Sequence, residues 1–511
     1  FSIKYPNKGG LSIGRVQTPT LNMIVKRDED IRNFVKTPFY IVEIDCGEFK
    51  AYSEKFEEKS QAEIISTLCN EKTATVIEVK NEIKKINPPK LYDLTTLQRE
   101  ANRIFGYTAQ QTLDYAQSLY EKKLLTYPRT DSNYITDDME QTVTELIPIL
   151  LNNLSITSEI KMENPNISLC INNSKVSDHH ALLPTAEITK NDLTSLTEAE
   201  VNLINLVSMR LLCAVSTTHS YNSLFANLVC EKNNFTAKGK EIIEDGWKVI
   251  EKNLMNRIKS QTSNDEADVF LPKLIEGQQF QNISTSIAEK STHPPKPFTE
   301  DTLLSAMERA GNDEYDDDIE KKGIGTPATR ASIIEGLVSR EYIERKNKNL
   351  IATEKGITLI NIVPENLKSA KTTADWETVL QNIEKGKSEI SDEIFIKQIS
   401  DQTKKLIDDY SKISENNPFQ KEKTKIGICP KCGKNILEFP KSYTCESGKD
   451  CGFIIWKTIS GKSIGSTQAK KLLSKQRSDL IKGFASKTGK KFDAYLIVKN
   501  DYSIAFEFTQ K

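Results

Sequence analysis

The run Leu125-Thr126-Tyr127-Pro128-Arg129-Thr130-Asp131-Ser132 follows two helical patterns, and the rest of the chain is read outward from it. A tyrosine hydroxyl, with a free pKa of about 10, is a poor nucleophile unless it is positioned beside a cation. Arg129, two residues on, supplies a guanidinium that can hold a phosphate bidentately and stabilise charge growing on its oxygens. Taken alone the string also suits a tyrosine at a strand end with a turn after Pro128. Upstream, Leu94, Leu97, Ala101, Ile104 and Phe105 share one helical face that stops at Gly106. Thr108 and Gln111 then stand at capping-box spacing before a second stripe of Leu113, Ala116 and Leu119. Two helices with a Gly-containing turn, followed by the β-like run Leu124 to Tyr127, suggest a helix-turn-helix or winged-helix-like module.

Farther out the periodicity changes. Residues 39–92 and 221–297 read as strand-rich, with FYIVEI, FKAYSEKF and TATVIEV in the first segment and NSLFANLVC, NFTAKGKEI and DVFLPKLI in the second. Before them, Leu21, Ile24, Val25 and Ile31 form a helical stripe with a start signal at Pro19-Thr20. After the Pro-rich HPPKPF comes another helical region to about residue 414, and ENNPFQKEKTK reads as a linker. The order predicts a multidomain α+β chain in which one domain is inserted in another. Residues 1–38 with 298–414 make a helical domain, 39–92 with 221–297 a strand-rich arch, and 93–220 the tyrosine domain. The linker at 415–425 leads to a module at 426–511.

At 511 residues the chain is too long for one core. No apolar run approaches the roughly 20 residues of a membrane span, so no membrane partner is expected. The opening FSIKYPNKGG, beginning at Phe1, reads as neither a targeting sequence nor a translation start, and a fragment is expected. The net charge of -1 hides a basic tail. Residues 426–511 hold sixteen Lys or Arg against seven Asp or Glu, a local excess of nine that would attract nucleic acid. Five of the nine cysteines are scattered, which suits a reducing cytoplasm. The other four, Cys429-x2-Cys432 and Cys445-x5-Cys451, have the donor type and knuckle of a zinc ribbon, with the second pair looser than usual.

YPRTDS after a helix pair resembles the active-site motif of type IA DNA topoisomerases. Three more strings match that family in order. Ser12-Ile13-Gly14-Arg15-Val16-Gln17-Thr18-Pro19-Thr20 resembles SxGRVQTPT, in which Arg15 and Gln17 would grip the DNA backbone. Asp178-His179-His180-Ala181-Leu182-Leu183-Pro184-Thr185 resembles DHHAxxPT, which places His179 near the scissile phosphate with His180 beside it. Gly323-Ile324-Gly325-Thr326-Pro327-Ala328-Thr329-Arg330 resembles the GIGTPATR of the topoisomerase III branch, in which Thr326, Thr329 and Arg330 would meet phosphate.

The resemblance implies a toroid whose arch lifts the tyrosine domain away, and an isomerase that cuts one strand through a 5′-phosphotyrosine, passes another through the gap and reseals. Negative supercoils would be relaxed or linked circles decatenated. It further implies a monomer acting on single-stranded or underwound DNA without ATP, consistent with the absence of a GxxxxGK phosphate loop from the sequence. Magnesium would be held by a Toprim domain expected N-terminal to this chain. The acidic run Asp313 to Asp318 reads instead as solvated surface. Two rivals remain: a non-catalytic single-stranded-DNA-binding paralogue, and a tyrosine recombinase or relaxase. Against the first stand intact Tyr127 and Arg129. Against the second, recombinases need more arginines and another histidine pattern, and the four histidines do not form a relaxase triad.

Overall fold

The computed structural model describes residues 11–153, 162, 164–189, 193–258, 271–310, 323–384, 386–411, 425–439, 441–486 and 490–508. The acidic run at 313–318 and nearly all of the 415–425 linker lie outside them. The chain divides into two compact units, Phe1–Ile413 and Ser414–Lys511.

The first unit opens with α1 (Gln17–Asn33). This helix begins two residues before Pro19, earlier than the start signal suggested. Proline is tolerated there because the N–H groups of the first turn have no intrahelical partner. Next come β1 (Pro38–Asp45), β2 (Lys50–Tyr52), α2 (Lys59–Cys69) and β3 (Ala74–Ile86). The helical block follows: α3 (Leu94–Phe105), α4 (Ala109–Glu121), α5 (Glu140–Asn153) and α6 (Glu198–Ala214). The chain then returns to strands with β4 (His219–Cys230) and β5 (Asn233–Glu244), α7 (Lys248–Ile258), β6 (Gln279–Phe280) and β7 (Ser284–Ser291). The strands β1 to β7 form one seven-stranded sheet in the order β6-β3-β4-β5-β2-β1-β7. Two strand-rich segments more than a hundred residues apart thus complete a single sheet, around a core that includes Val42, Val76, Leu228 and Phe235.

DVFLPKLI departs from expectation. Of it, residues 271–275 form no strand, yet Leu271 and Leu274 are buried in the sheet's core. Pro272 cannot donate to a ladder. Gly239 on β5 lets the segment approach, because a Cβ there would lie 2.3 Å from the Leu271 Cβ.

The last part of the unit contains β8 (Phe298–Thr299), α8 (Glu300–Arg309), α9 (Pro327–Ser339), β9 (Ile343–Lys346) and β10 (Asn349–Ala352). It ends with α10 (Glu354–Ile362), α11 (Glu365–Lys368), α12 (Ala370–Glu384) and α13 (Asp392–Ser411). The first helix packs against α9, α10, α11 and β10, so the start of the chain joins this late segment.

The second unit contains a four-stranded antiparallel sheet of β11 (Lys425–Ile428), β12 (Asn435–Glu438), β13 (Ser442–Cys445) and β14 (Ile454–Trp456). A two-stranded ribbon, β15 (Thr458–Ile459) with β16 (Lys462–Ser463), leads to α14 (Ser466–Lys475). The sheet β17 (Ile481–Ala485), β18 (Lys491–Val498) and β19 (Ile504–Glu507) completes it. Phe484, Phe492 and Phe506 pack in that sheet with centroids 4.9 to 5.6 Å apart.

Candidate active site

Both helices before the tyrosine are capped at their expected or newly visible signals. Asp93 accepts from the Thr96 N–H at 2.7 Å and begins α3, which ends at Gly106 with φ 79°. Thr108 caps α4 with its Oγ1 3.0 Å from the Gln111 N–H. Beyond α4, Leu125 pairs with Pro184 in an isolated antiparallel bridge. No hairpin wing forms here. The hairpin that follows a helix pair is β9–β10, after α8 and α9.

That bridge belongs to a seam joining the tyrosine and histidine strings. Thr126 N–H donates to the Leu183 carbonyl at 2.9 Å, and Leu183 N–H returns a bond to Thr126 Oγ1 at 2.9 Å. Farther along, Thr130 Oγ1 donates to the His179 carbonyl at 3.1 Å. Strings 49 residues apart are thereby locked side by side, and the Tyr127 and His179 rings lie 4.5 Å apart between centroids. Tyr120 meets the other side of Tyr127 edge-on at 5.5 Å. Tyr127 is half-buried, whereas Arg129 and His179 are exposed, and Arg129 has no ion pair among the described residues. His180 is turned back on its own backbone, with Nδ1 2.7 Å from the Ala181 carbonyl oxygen.

The glycine-loop string connects to this seam through α3, and the first string packs against the glycine loop. Leu94 N–H donates to the Thr130 carbonyl at 3.1 Å, and Thr95 beside it accepts from Arg330 Nη1 at 3.0 Å. Arg330 also donates to the Ile324 carbonyl at 3.3 Å and pairs with Glu308 at 3.3 Å. It is only 5% exposed. Arg330, expected to meet phosphate, has donors that face protein in this structure, where it ties the glycine loop to the tyrosine block. Burial lowers its pKa against the opposing pull of Glu308 and Asp93. Burial raises both carboxyls, and Arg330 offsets part of that rise. Gly325, at φ 68°, packs against Val16, since a Cβ there would come within 3.2 Å of the Val16 Cγ1.

In the first string, Ser12 N–H is held by the Tyr342 hydroxyl at 2.8 Å, and Gly14 N–H by Thr18 Oγ1 at 3.0 Å. Gln17 Nε2 donates to the Ser12 carbonyl at 3.2 Å, and Arg15 is the exposed charged donor of that loop. Arg15 is engaged by Glu377 at 3.1 Å, a solvent-accessible pair of small worth that an anion can displace. Thr326 N–H bonds Thr329 Oγ1 at 3.0 Å at the start of α9, and both threonines, which cap that helix, are exposed. Sequence reading missed Asp93, Thr95 and Glu308. Only Asp93, three residues before Thr96, carried a capping signal.

A profile described as DNA topoisomerase matches residues 1–394, and one described as the C-terminal repeat of topoisomerase matches residues 450–509. The chain belongs to the type IA DNA topoisomerase family, on its topoisomerase III branch. Among its relatives, DNA topoisomerase 3 of Bacillus licheniformis is 36% identical over 451 residues, covering 84% of this chain and 60% of that protein. DNA topoisomerase 3 of Bacillus subtilis is 35% identical over 453 residues, with the same two shares. The chain thus spans about 60% of the length of these relatives. Full-length topoisomerase I from Thermotoga maritima shares the fold, with a TM-score of 0.61 at 23% identity over 89% of this chain and 72% of that one.

The second unit holds this topoisomerase-family chain's four-cysteine cluster. The sulfurs of Cys429, Cys432, Cys445 and Cys451 all lie within 4.8 Å of one another, with Cys429 to Cys451 at 3.6 Å and Cys432 to Cys445 at 3.4 Å. Sulfurs 2.3 Å from a tetrahedral zinc are separated by about 3.8 Å, so the donor set fits that ion. Gly433 (φ 77°) and its N–H to the Cys429 carbonyl close the knuckle. The Lys434 N–H foremost, with the neighbouring thiols, holds the Cys432 thiol down at about 6, while burial pushes Cys429 up to about 12. Among the described residues no other group of three or more metal-capable side chains is present. No described helix is long and apolar enough to cross a membrane.

Proposed function

We propose that this chain supplies the nucleophile and much of the DNA-holding body of a topoisomerase acting on single-stranded or underwound DNA. The supporting observation is the hydrogen-bonded seam that sets Tyr127 beside exposed His179 and Arg129. Tyr127 Oη attacks a backbone phosphorus and forms a P–O bond. The P–O3′ bond breaks, leaving a 5′-phosphotyrosine and a 3′-oxygen that takes up a proton as the phenolic proton is lost. Arg129 stabilises charge on the nonbridging oxygens, and His179 lies close enough to assist proton movement. Attack by the 3′-hydroxyl reverses the step, and the ester conserves the bond energy, so ATP is not needed.

Cys429, Cys432, Cys445 and Cys451 would hold zinc in a structural role. Elemental analysis of the intact chain should find one zinc per chain, and its removal by chelation should unfold the second unit. Resealing by this reading needs magnesium held outside the described residues. Plasmid relaxation by the 511-residue chain, alone and with a Toprim domain added in trans, tests this, and steady relaxation by the chain alone would overturn it. The nucleophile is tested by Tyr127→Phe in a preparation competent for cleavage. DNA binding should persist while the denaturant-resistant protein–DNA adduct disappears, and an adduct formed by the Phe variant would refute the assignment.

A further inference from the structure

The strands that carry the arch into the tyrosine block present two unlike faces. On β4, Ala226, Leu228 and Cys230 point into the core, so the alternate residues Tyr221 and Phe225 stand together on the opposite face. Their registers place them between lysines on both sides. Lys84 on β3 is opposite Tyr221, and Lys80 is opposite Phe225. On β5, Lys238 is opposite Phe225 and Lys240 is one pair along, opposite Ser223. The ammonium groups of Lys240 and Lys238 lie 4.6 and 5.9 Å from the Tyr221 and Phe225 ring centroids. Both rings are half-buried and lie outside the sheet's apolar core cluster.

We propose that this face is a second binding site for single-stranded DNA, separate from the Tyr127 seam and independent of cleavage. Two rings four residues apart on one strand are separated by about 13 Å, room for unstacked bases to lie on each. The flanking lysines provide the charge complementarity that a phosphodiester backbone requires. Glu78 and Glu82 share the face, at 2.7 and 3.7 Å from Lys80 and Lys84. These are exposed pairs, so phosphate can displace them at little cost. A duplex would not suit the site, because its bases are already stacked. From β3 the chain runs into α3, and β4 follows α6, so the face adjoins both connections to the tyrosine block.

The test uses the full chain carrying Tyr127→Phe, so that binding is read without cleavage. Affinity for a fluorescent oligo(dT) and for a duplex of equal length is measured across a salt series. Tyr221→Ala with Phe225→Ala should weaken oligo(dT) binding about tenfold to a hundredfold and leave duplex binding unchanged. Lys80, Lys84, Lys238 and Lys240 changed to Ser should reduce the steepness of the salt dependence by about 3, since each lost phosphate contact on a single strand removes about 0.7. Tyr221→Phe with Phe225→Tyr retains both rings and should restore binding, which separates stacking from misfolding. Photocrosslinking with iododeoxyuridine should label the peptide containing residues 221–225. Unchanged oligo(dT) affinity in the double-Ala variant, or equal weakening for duplex and single strand, would overturn the proposal.

Discussion

Arg129 and Arg330 each belong to a string that resembles a family motif, but their surroundings differ. Arg129 follows the tyrosine as an exposed side chain between buried Pro128 and Thr130, and has no ion pair among the described residues. Arg330 is buried beneath the glycine loop, where its nitrogens bond the Ile324 carbonyl, Thr95 and Glu308. To meet a phosphate this guanidinium would have to give up its bonds to Thr95, the Ile324 carbonyl and Glu308. One arginine is exposed and without an ion pair among the described residues, whereas the other is buried and holds the seam's neighbour in position.

Substitution at the two positions should separate these roles most sharply. Arg129→Ala should lower the rate of covalent adduct formation by roughly 10²- to 10³-fold, the usual cost of losing one transition-state donor. Its melting temperature should stay near that of the parent, because an exposed unpaired side chain contributes little to stability. Single-turnover trapping and calorimetry measure the two effects, and a large loss of stability would erase the contrast. Arg330→Ala should reverse the pattern, destabilising the first unit by about 1–3 kcal/mol, because Thr95, the Ile324 carbonyl and Glu308 all lose a buried donor while Glu308 keeps only Arg99. Urea unfolding is the measurement. An unchanged midpoint with weakened DNA affinity would return Arg330 to the DNA-contacting set.

A smaller effect should appear with pH on the far side of α4. Burial works against the charge on Glu200, but the Lys122 ammonium, the Ser118 hydroxyl and the Thr197 N–H and hydroxyl outweigh it and hold the carboxyl at about 2, below its ordinary 4.5. Glu200 therefore binds a proton more readily when unfolded. Its contribution, on the order of 2 kcal/mol, is fully present above pH 4.5 and is lost as pH falls toward 2. Denaturation midpoints between those values should fall less steeply in Glu200→Gln than in the parent chain. The smallest expected effect is at the seam itself. Thr130→Val removes the bond to the His179 carbonyl and should cost about 1 kcal/mol, with a modest slowing of adduct formation. No change in adduct formation would mean that the seam positions His179 less tightly than its geometry suggests.

Much of the local architecture was legible in the residues. The stripe from Leu94 to Phe105 and its stop at Gly106, the Thr108–Gln111 capping box and the β-branched run in β3 each depend on neighbours within a turn or a strand. The cysteine spacing is of the same kind, because the CPKCG knuckle brings two thiols together by itself. Residues 271–275 were misread because hydrophobic alternation signals burial but not ladder hydrogen bonding, which Pro272 cannot supply. The sequence by itself determined the order of the four strings, the helical faces and the presence of Tyr127 with Arg129. Only the tertiary structure decided that Arg330 turns inward, that His179 lies against Tyr127, and that two separated strand segments share one sheet. The physical reason is that burial and hydrogen-bond satisfaction depend on partners distant along the chain, as Arg330 depends on Thr95, 235 residues away.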